Sequence, residues 1–89
     1  MISKNLTIVN KLGLHARAAA KFVSCASAFS AAVRVGSGGD LVDGKSIMSV
    51  MMLAAAKGTE LTVETEGSDE EEALAAIETL IANRFDEGE

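Results

Sequence analysis

Over residues 2–9 apolar and polar side chains alternate well enough for a strand, with Ile2, Leu6 and Ile8 on one face and Ser3, Asn5 and Thr7 mostly on the other. Asn10-Lys11-Leu12-Gly13 breaks that period. From 16 to 28 the spacing turns helical, and Ala19, Phe22, Val23, Ala26 and Phe29 form a stripe predicted to face a core. The alanines make that face small and allow close packing. Residues 31–35 are β-rich, and Ser37-Gly38-Gly39-Asp40 is a hairpin signal leading into a return strand at 41–42. Ser46 is placed to cap a short apolar helix from 47 to about 53, and Gly58 marks a stop. Residues 60–66 give the clearest strand, in which Leu61, Val63 and Thr65 alternate with Thr62, Glu64 and Glu66 until Gly67 ends it. Ser68-Asp69-Glu70-Glu71 reads as a capping box, the Ser68 hydroxyl and Glu71 carboxylate each accepting a backbone N–H at the start of the last helix. That helix carries the stripe Leu74, Ile77, Leu80, Ile81 and Phe85 to about residue 84, and 86–89 are expected to fray.

The resulting order, β-α-β-β-α-β-α, suggests an α+β layer pair: a mostly antiparallel sheet with helices on one face. Spacing alone does not supply the strand order. A chain of 89 residues is one domain by size, 1–89, with room for one modest core. A single cysteine cannot form an internal bridge, and residues 1–5 are too polar to open a signal peptide. No apolar run approaches the ~20 residues that span a bilayer. A cytoplasmic monomer without membrane insertion is therefore expected.

Charge narrows the partners. A net charge of −5, scattered basic residues, three Phe and no Trp or Tyr argue against nucleic acid. The acid is uneven: carboxylates crowd the chain from Glu60 onward, whereas the acid-free stretch up to Gly39 holds Lys4, Lys11, Arg17, Lys21 and Arg34. That asymmetry predicts a locally basic side able to steer a negatively charged partner, with ordinary surface charge as the plainer reading.

The chemistry centres on His15, the only histidine, within Gly13-Leu14-His15-Ala16-Arg17-Ala18-Ala19-Ala20-Lys21. Imidazole is the side chain whose ordinary pKa lies closest to neutrality, so it can act as a nucleophile at cellular pH. At a helix start the unpaired N–H groups and the positive end of the dipole favour an anion. Arg17 adds a fork of donors suited to phosphate oxygens, and the Ala16 and Arg17 N–H groups complete a candidate phosphoryl site. By position alone the plainer reading of His15 is a loop histidine that merely caps a helix. Ile47, Met48, Val50, Met51, Met52 and Leu53 are apolar around most of a short helix. Val50 and Leu53 are assigned inward, and Ile47, Met48 and Met51 outward beside His15, with Ala20 also at this docking face. Cys25 is read as a core filler, and the shortage of histidine and cysteine leaves no credible metal site and implies no cofactor.

Asn10-Lys11-Leu12-Gly13-Leu14-His15-Ala16-Arg17, with Gly44-Lys45-Ser46-Ile47-Met48 and Met51-Met52-Leu53-Ala54-Ala55 about thirty residues on, resembles the HPr family, the histidine-containing phosphocarriers of the bacterial sugar phosphotransferase system. The likeness covers the whole chain. It implies an open-faced β-sandwich, with a four-stranded antiparallel sheet in the order 1-4-2-3 and three helices on one side. It further implies that His15 receives a phosphoryl group on Nδ1 from enzyme I, passes it to EIIA components of sugar permeases, and has no turnover alone. Ser46 stands where many members are phosphorylated by an HPr kinase. Ala18 replaces the proline usual in the family, which leaves the helix start slightly less rigid. Two further readings stay open: the carrier of the nitrogen-related phosphotransferase branch, and a regulatory HPr-like module. Relatives of the second kind replace the histidine, which this chain keeps.

Overall fold

The computed structural model describes residues 1–86. Its elements are β1 (Ile2–Thr7), α1 (Ala16–Ser27), β2 (Ala32–Gly36), β3 (Val42–Asp43), α2 (Ile47–Met52), β4 (Glu60–Glu66) and α3 (Glu70–Ala82). The sheet runs β1-β4-β2-β3 with every neighbouring pair antiparallel, so the order the resemblance implied is the order found. β4 lies inside the sheet with Leu61 opposite Leu6 and Val63 opposite Val35, and its Leu61, Val63 and Thr65 are buried. Their alternation with more exposed residues follows from the two-residue period of a strand with one covered face. The core between sheet and helices is built on Ile8, Phe22, Val50, Ile77 and Phe85, all fully buried. The other sheet face is uncovered.

The structure changes several local expectations. β1 stops at Thr7 because Ile8 leaves the ladder: its N–H donates to the Thr59 carbonyl at 2.9 Å and its carbonyl accepts the Gly58 N–H at 2.8 Å. Phe29 lies beyond α1 and is half-buried, outside the core stripe it was assigned to. The return strand lies one residue further along than the expected 41–42, with Val42 and Asp43 pairing with β2. The capping box is not the one expected. Glu70 makes the backward contact to the Gly67 N–H at 3.0 Å, and Asp69 turns outward to accept from Ser30 and Ala31 N–H at 2.9 and 2.8 Å. A carboxylate that ties α3 to the approach of β2 satisfies two strand-end donors at once, which a local cap could not do.

Phe85 is buried as predicted, but not as a helical residue. Arg84, Phe85 and Asp86 all have positive φ, and this left-handed turn swings the ring back into the core. The Lys21 ammonium donates to the Phe85 carbonyl at 2.7 Å and holds the turn down. Asp86, expected to fray, belongs to that turn; the rest of the expected fraying, 87–89, lies outside the described residues.

Candidate functional site

His15 stands at the junction the sequence suggested, with φ −80° and ψ −178°, as the N-cap of α1. Its carbonyl accepts the Ala19 N–H at 2.8 Å, and its Nδ1 accepts the Arg17 N–H at 3.3 Å. The second bond is long for its type, so it aims the ring without gripping it. A ring whose Nδ1 accepts carries its proton on Nε2 when neutral, which presents the Nδ1 lone pair to the helix N-terminus.

The backbone leading to His15 is clamped. Gly13 has φ +68°, and a Cβ on it would lie 2.5 Å from the Ala55 carbonyl oxygen and 2.9 Å from Ala56 Cα. Only glycine meets both demands, the left-handed conformation and the close approach. The next N–H, of Leu14, donates to the same Ala55 carbonyl at 2.7 Å. On the other side the fully buried Asn10 donates from Nδ2 to the Gly13 carbonyl at 2.8 Å, while its own carbonyl accepts the Gly13 N–H at 3.2 Å. Asn10 and the segment 54–56, with Ala54 at φ +49°, were missed as parts of the site. Asn followed three residues later by Gly was the available signal for the first, since Asn side chains favour bonds to nearby backbone.

His15, Ala16 and Met51 meet in a shallow open groove of about 320 Å³, closed by Leu12 and Ala54–Ala56. Ile47, Met48 and Met51 are exposed on α2, while Val50 is fully buried and Leu53 packs partly against the core. Leu12 at 69% and Met52 at 79% exposure were not anticipated on this surface. A helix of six residues buries one stripe, and Met52 lies off it. Arg17 and Ala20 are exposed on α1 but do not line the groove. Ser46 caps α2, its hydroxyl accepting the Ser49 N–H at 3.4 Å. Gly44 makes this approach possible: its N–H donates to the Val33 carbonyl at 2.7 Å, and a Cβ there would lie 2.7 Å from Val33 Cγ1.

The basic side expected from the acid-free first half does not form as read. Strand pairing brings Glu64 and Glu66 beside Arg34, at 2.6 and 3.0 Å. Packing of α3 brings Glu78 within 2.8 Å of Lys4, and Lys21 is used on the Phe85 carbonyl. Folding thus neutralises by contact what the sequence separates. Among the described residues no hydrogen bond or ion pair engages the Arg17 guanidinium, which stays exposed two residues from His15. Cys25 is half-buried, and burial pushes its thiol above the ordinary range. Among the described residues no group of three or more His, Cys, Asp or Glu is placed to hold a metal, and no helix is long and apolar enough to cross a membrane.

The family model described as the PTS HPr component phosphorylation site matches residues 2–83. The chain belongs to the HPr family. It is 62% identical to the phosphocarrier protein HPr of Pseudomonas aeruginosa and 55% identical to that of Cupriavidus necator, each over the full length of both chains. Its fold superposes on the crystal structure of HPr-C-His from Thermoanaerobacter tengcongensis with a TM-score of 0.95 at 43% identity, again covering both chains completely. HPr proteins are phosphocarriers of the phosphotransferase system.

Proposed function

We propose that the protein accepts a phosphoryl group from enzyme I on His15 Nδ1 and delivers it to EIIA components of sugar permeases, working as a cytoplasmic monomer. The observation that carries this reading is the Nδ1 lone pair facing the N–H of Arg17 at the head of α1. In the forward step Nδ1 forms a bond to phosphorus as the bond between phosphorus and the donor breaks, and the Nε2 proton stays on the ring. The phosphoryl oxygens then take up the Ala16 and Arg17 N–H groups and the Arg17 guanidinium, which offset their charge without a metal. Delivery reverses the step. Nδ1 recovers its lone pair as an acceptor group on EIIA bonds to phosphorus, and protonated imidazole is a good leaving group. Positioning and charge account for most of what the protein does here, as expected for a reaction with little covalent work of its own.

Ser46 supports a regulatory extension of the same reading. Its hydroxyl already lies at the start of α2 beside exposed Ile47. A phosphate placed there by an HPr kinase would add a charge of about −2 next to the apolar docking face and repel an acidic partner. Incubation with enzyme I and labelled phosphoenolpyruvate tests the carrier assignment. Acid-labile, base-stable label is expected on the parent protein and only background on His15→Ala; persistent label on the variant would overturn it. The nitrogen-related branch is distinguished by running the same assay with its own enzyme I, whose faster labelling would reassign the protein.

A further inference from the structure

We propose that Met48, Met51 and Met52 form a modification site at which hydrogen peroxide oxidises the thioethers to sulfoxides and thereby slows phosphoryl transfer at His15. The proposal rests on the carrier reading above and on the use of α2 as part of the docking face. All three sulfur residues lie on one six-residue helix and are exposed at 66%, 39% and 79% in chain order, and Met51 lines the groove with His15. The only other methionine, Met1, sits elsewhere. Its terminal ammonium pairs with Glu70 at 3.0 Å, and its sulfur lies 3.8 Å from an Arg34 guanidinium nitrogen. Every internal methionine of the chain is therefore on the surface that partners would cover.

In the oxidation a thioether sulfur attacks one peroxide oxygen, an S–O bond forms and the O–O bond breaks. Sulfur loses two electrons, and the departing hydroxide takes up the one proton released from the oxygen now bonded to sulfur and leaves as water. The product replaces a flexible apolar group with a polar, chiral one carrying a strong acceptor. A partner that buries this acceptor without a donor loses affinity, since an unsatisfied buried polar group is penalised. Cys25 competes poorly, because it is half-buried and its thiol is held in the protonated form. Methionine sulfoxide reductase reverses the modification, so the arrangement is a switch.

The test uses full-length protein in a Cys25→Ser background, treated with graded hydrogen peroxide. Peptide mass spectrometry locates the sulfoxides, and labelling by enzyme I and phosphoenolpyruvate gives kcat/KM for the protein as substrate. Sulfoxide is expected at Met48 and Met52 before Met51, with kcat/KM falling about tenfold and returning after reductase treatment. In Met48→Leu/Met51→Leu/Met52→Leu the ratio of rates after and before peroxide should stay near one while Met1 oxidises normally, whatever that variant's starting rate. Sulfoxides on α2 with no loss of transfer overturn the inference and leave the carrier reading standing, as does equal loss in the triple leucine variant. A parent protein that takes no label before oxidation overturns both. Reductase recovery is measured on the parent chain and does not depend on the variant folding.

Discussion

The His15 end of the molecule and the uncovered face of the sheet solve opposite problems. At His15 the backbone is clamped and the side chains are left outward: Gly13 is pressed against Ala55, Asn10 bonds across the turn, and Arg17, Met48 and Leu12 point to solvent. Across the sheet the side chains are spent on one another. Arg34 holds Glu64 and Glu66, and the Thr62 hydroxyl donates to Asn5 Oδ1 at 2.8 Å. One end keeps a rigid backbone beneath outward side chains, as the proposed carrier role requires, while the other closes its own charges. At the His15 end an exposed cation, Arg17, and exposed apolar residues of α2 lie close together, which favours an encounter of defined geometry.

The largest effect expected from breaking this contrast is at the clamp. Gly13→Ala forces a side chain into a left-handed residue and onto the Ala55 carbonyl, so urea unfolding should show a loss of about 2–3 kcal/mol, with transfer from enzyme I reduced as well. Preserved stability would mean that 54–56 yields easily and that the clamp is weak. Next comes Arg17→Ala. Labelling kinetics should show about a hundredfold lower transfer, with unfolding unchanged, because an exposed donor aimed at developing phosphoryl charge is lost. Arg17→Lys should recover part of it, since the charge returns without the fork.

A third test concerns the joint between α3 and β2. The Ser30 N–H, and then that of Ala31, hold the Asp69 carboxyl below its usual range, and the Gly67 N–H and then the terminal ammonium do the same for Glu70. Because folding lowers these values, their contribution is present above about pH 4, the ordinary carboxylate range, and is lost as pH falls through the lower folded values. The stability advantage of the parent over Asp69→Asn should therefore be constant from pH 7 to about pH 5 and shrink below about pH 4, followed by urea midpoints at each pH. The smallest effect is expected on the open face. Arg34 titrates above its ordinary value through its hydrogen bond to Glu66 and then that to Glu64, yet exposed ion pairs contribute little. Arg34→Ala should lower the unfolding midpoint only slightly and leave phosphoryl transfer unchanged; a large loss of transfer would erase the distinction between the two regions.

Much of this was legible along the chain. The two-residue period of β4 and the helical stripe of α1 survive folding because each is dictated by one covered face. The N-cap roles of His15 and Ser46 were equally readable, since caps are set by local chain direction. Two of the misread places share one cause: distant segments competed for a local group. Asp69 and Lys21 bond across the fold to Ala31 and Phe85, and no window of a dozen residues contains both partners.

By itself the sequence determined the elements, the burial of one side of each strand, and a lone imidazole with an arginine two residues on, because period, capping and side-chain chemistry are properties of neighbours. Only the tertiary structure decided that Ala55 braces Gly13, that Phe85 reaches the core through a left-handed turn, and that Lys4 and Arg34 lose their apparent excess charge to Glu78, Glu64 and Glu66. Those outcomes depend on which remote groups come within a few ångströms. Strand order and helix packing set these distances, and local spacing carries no record of them.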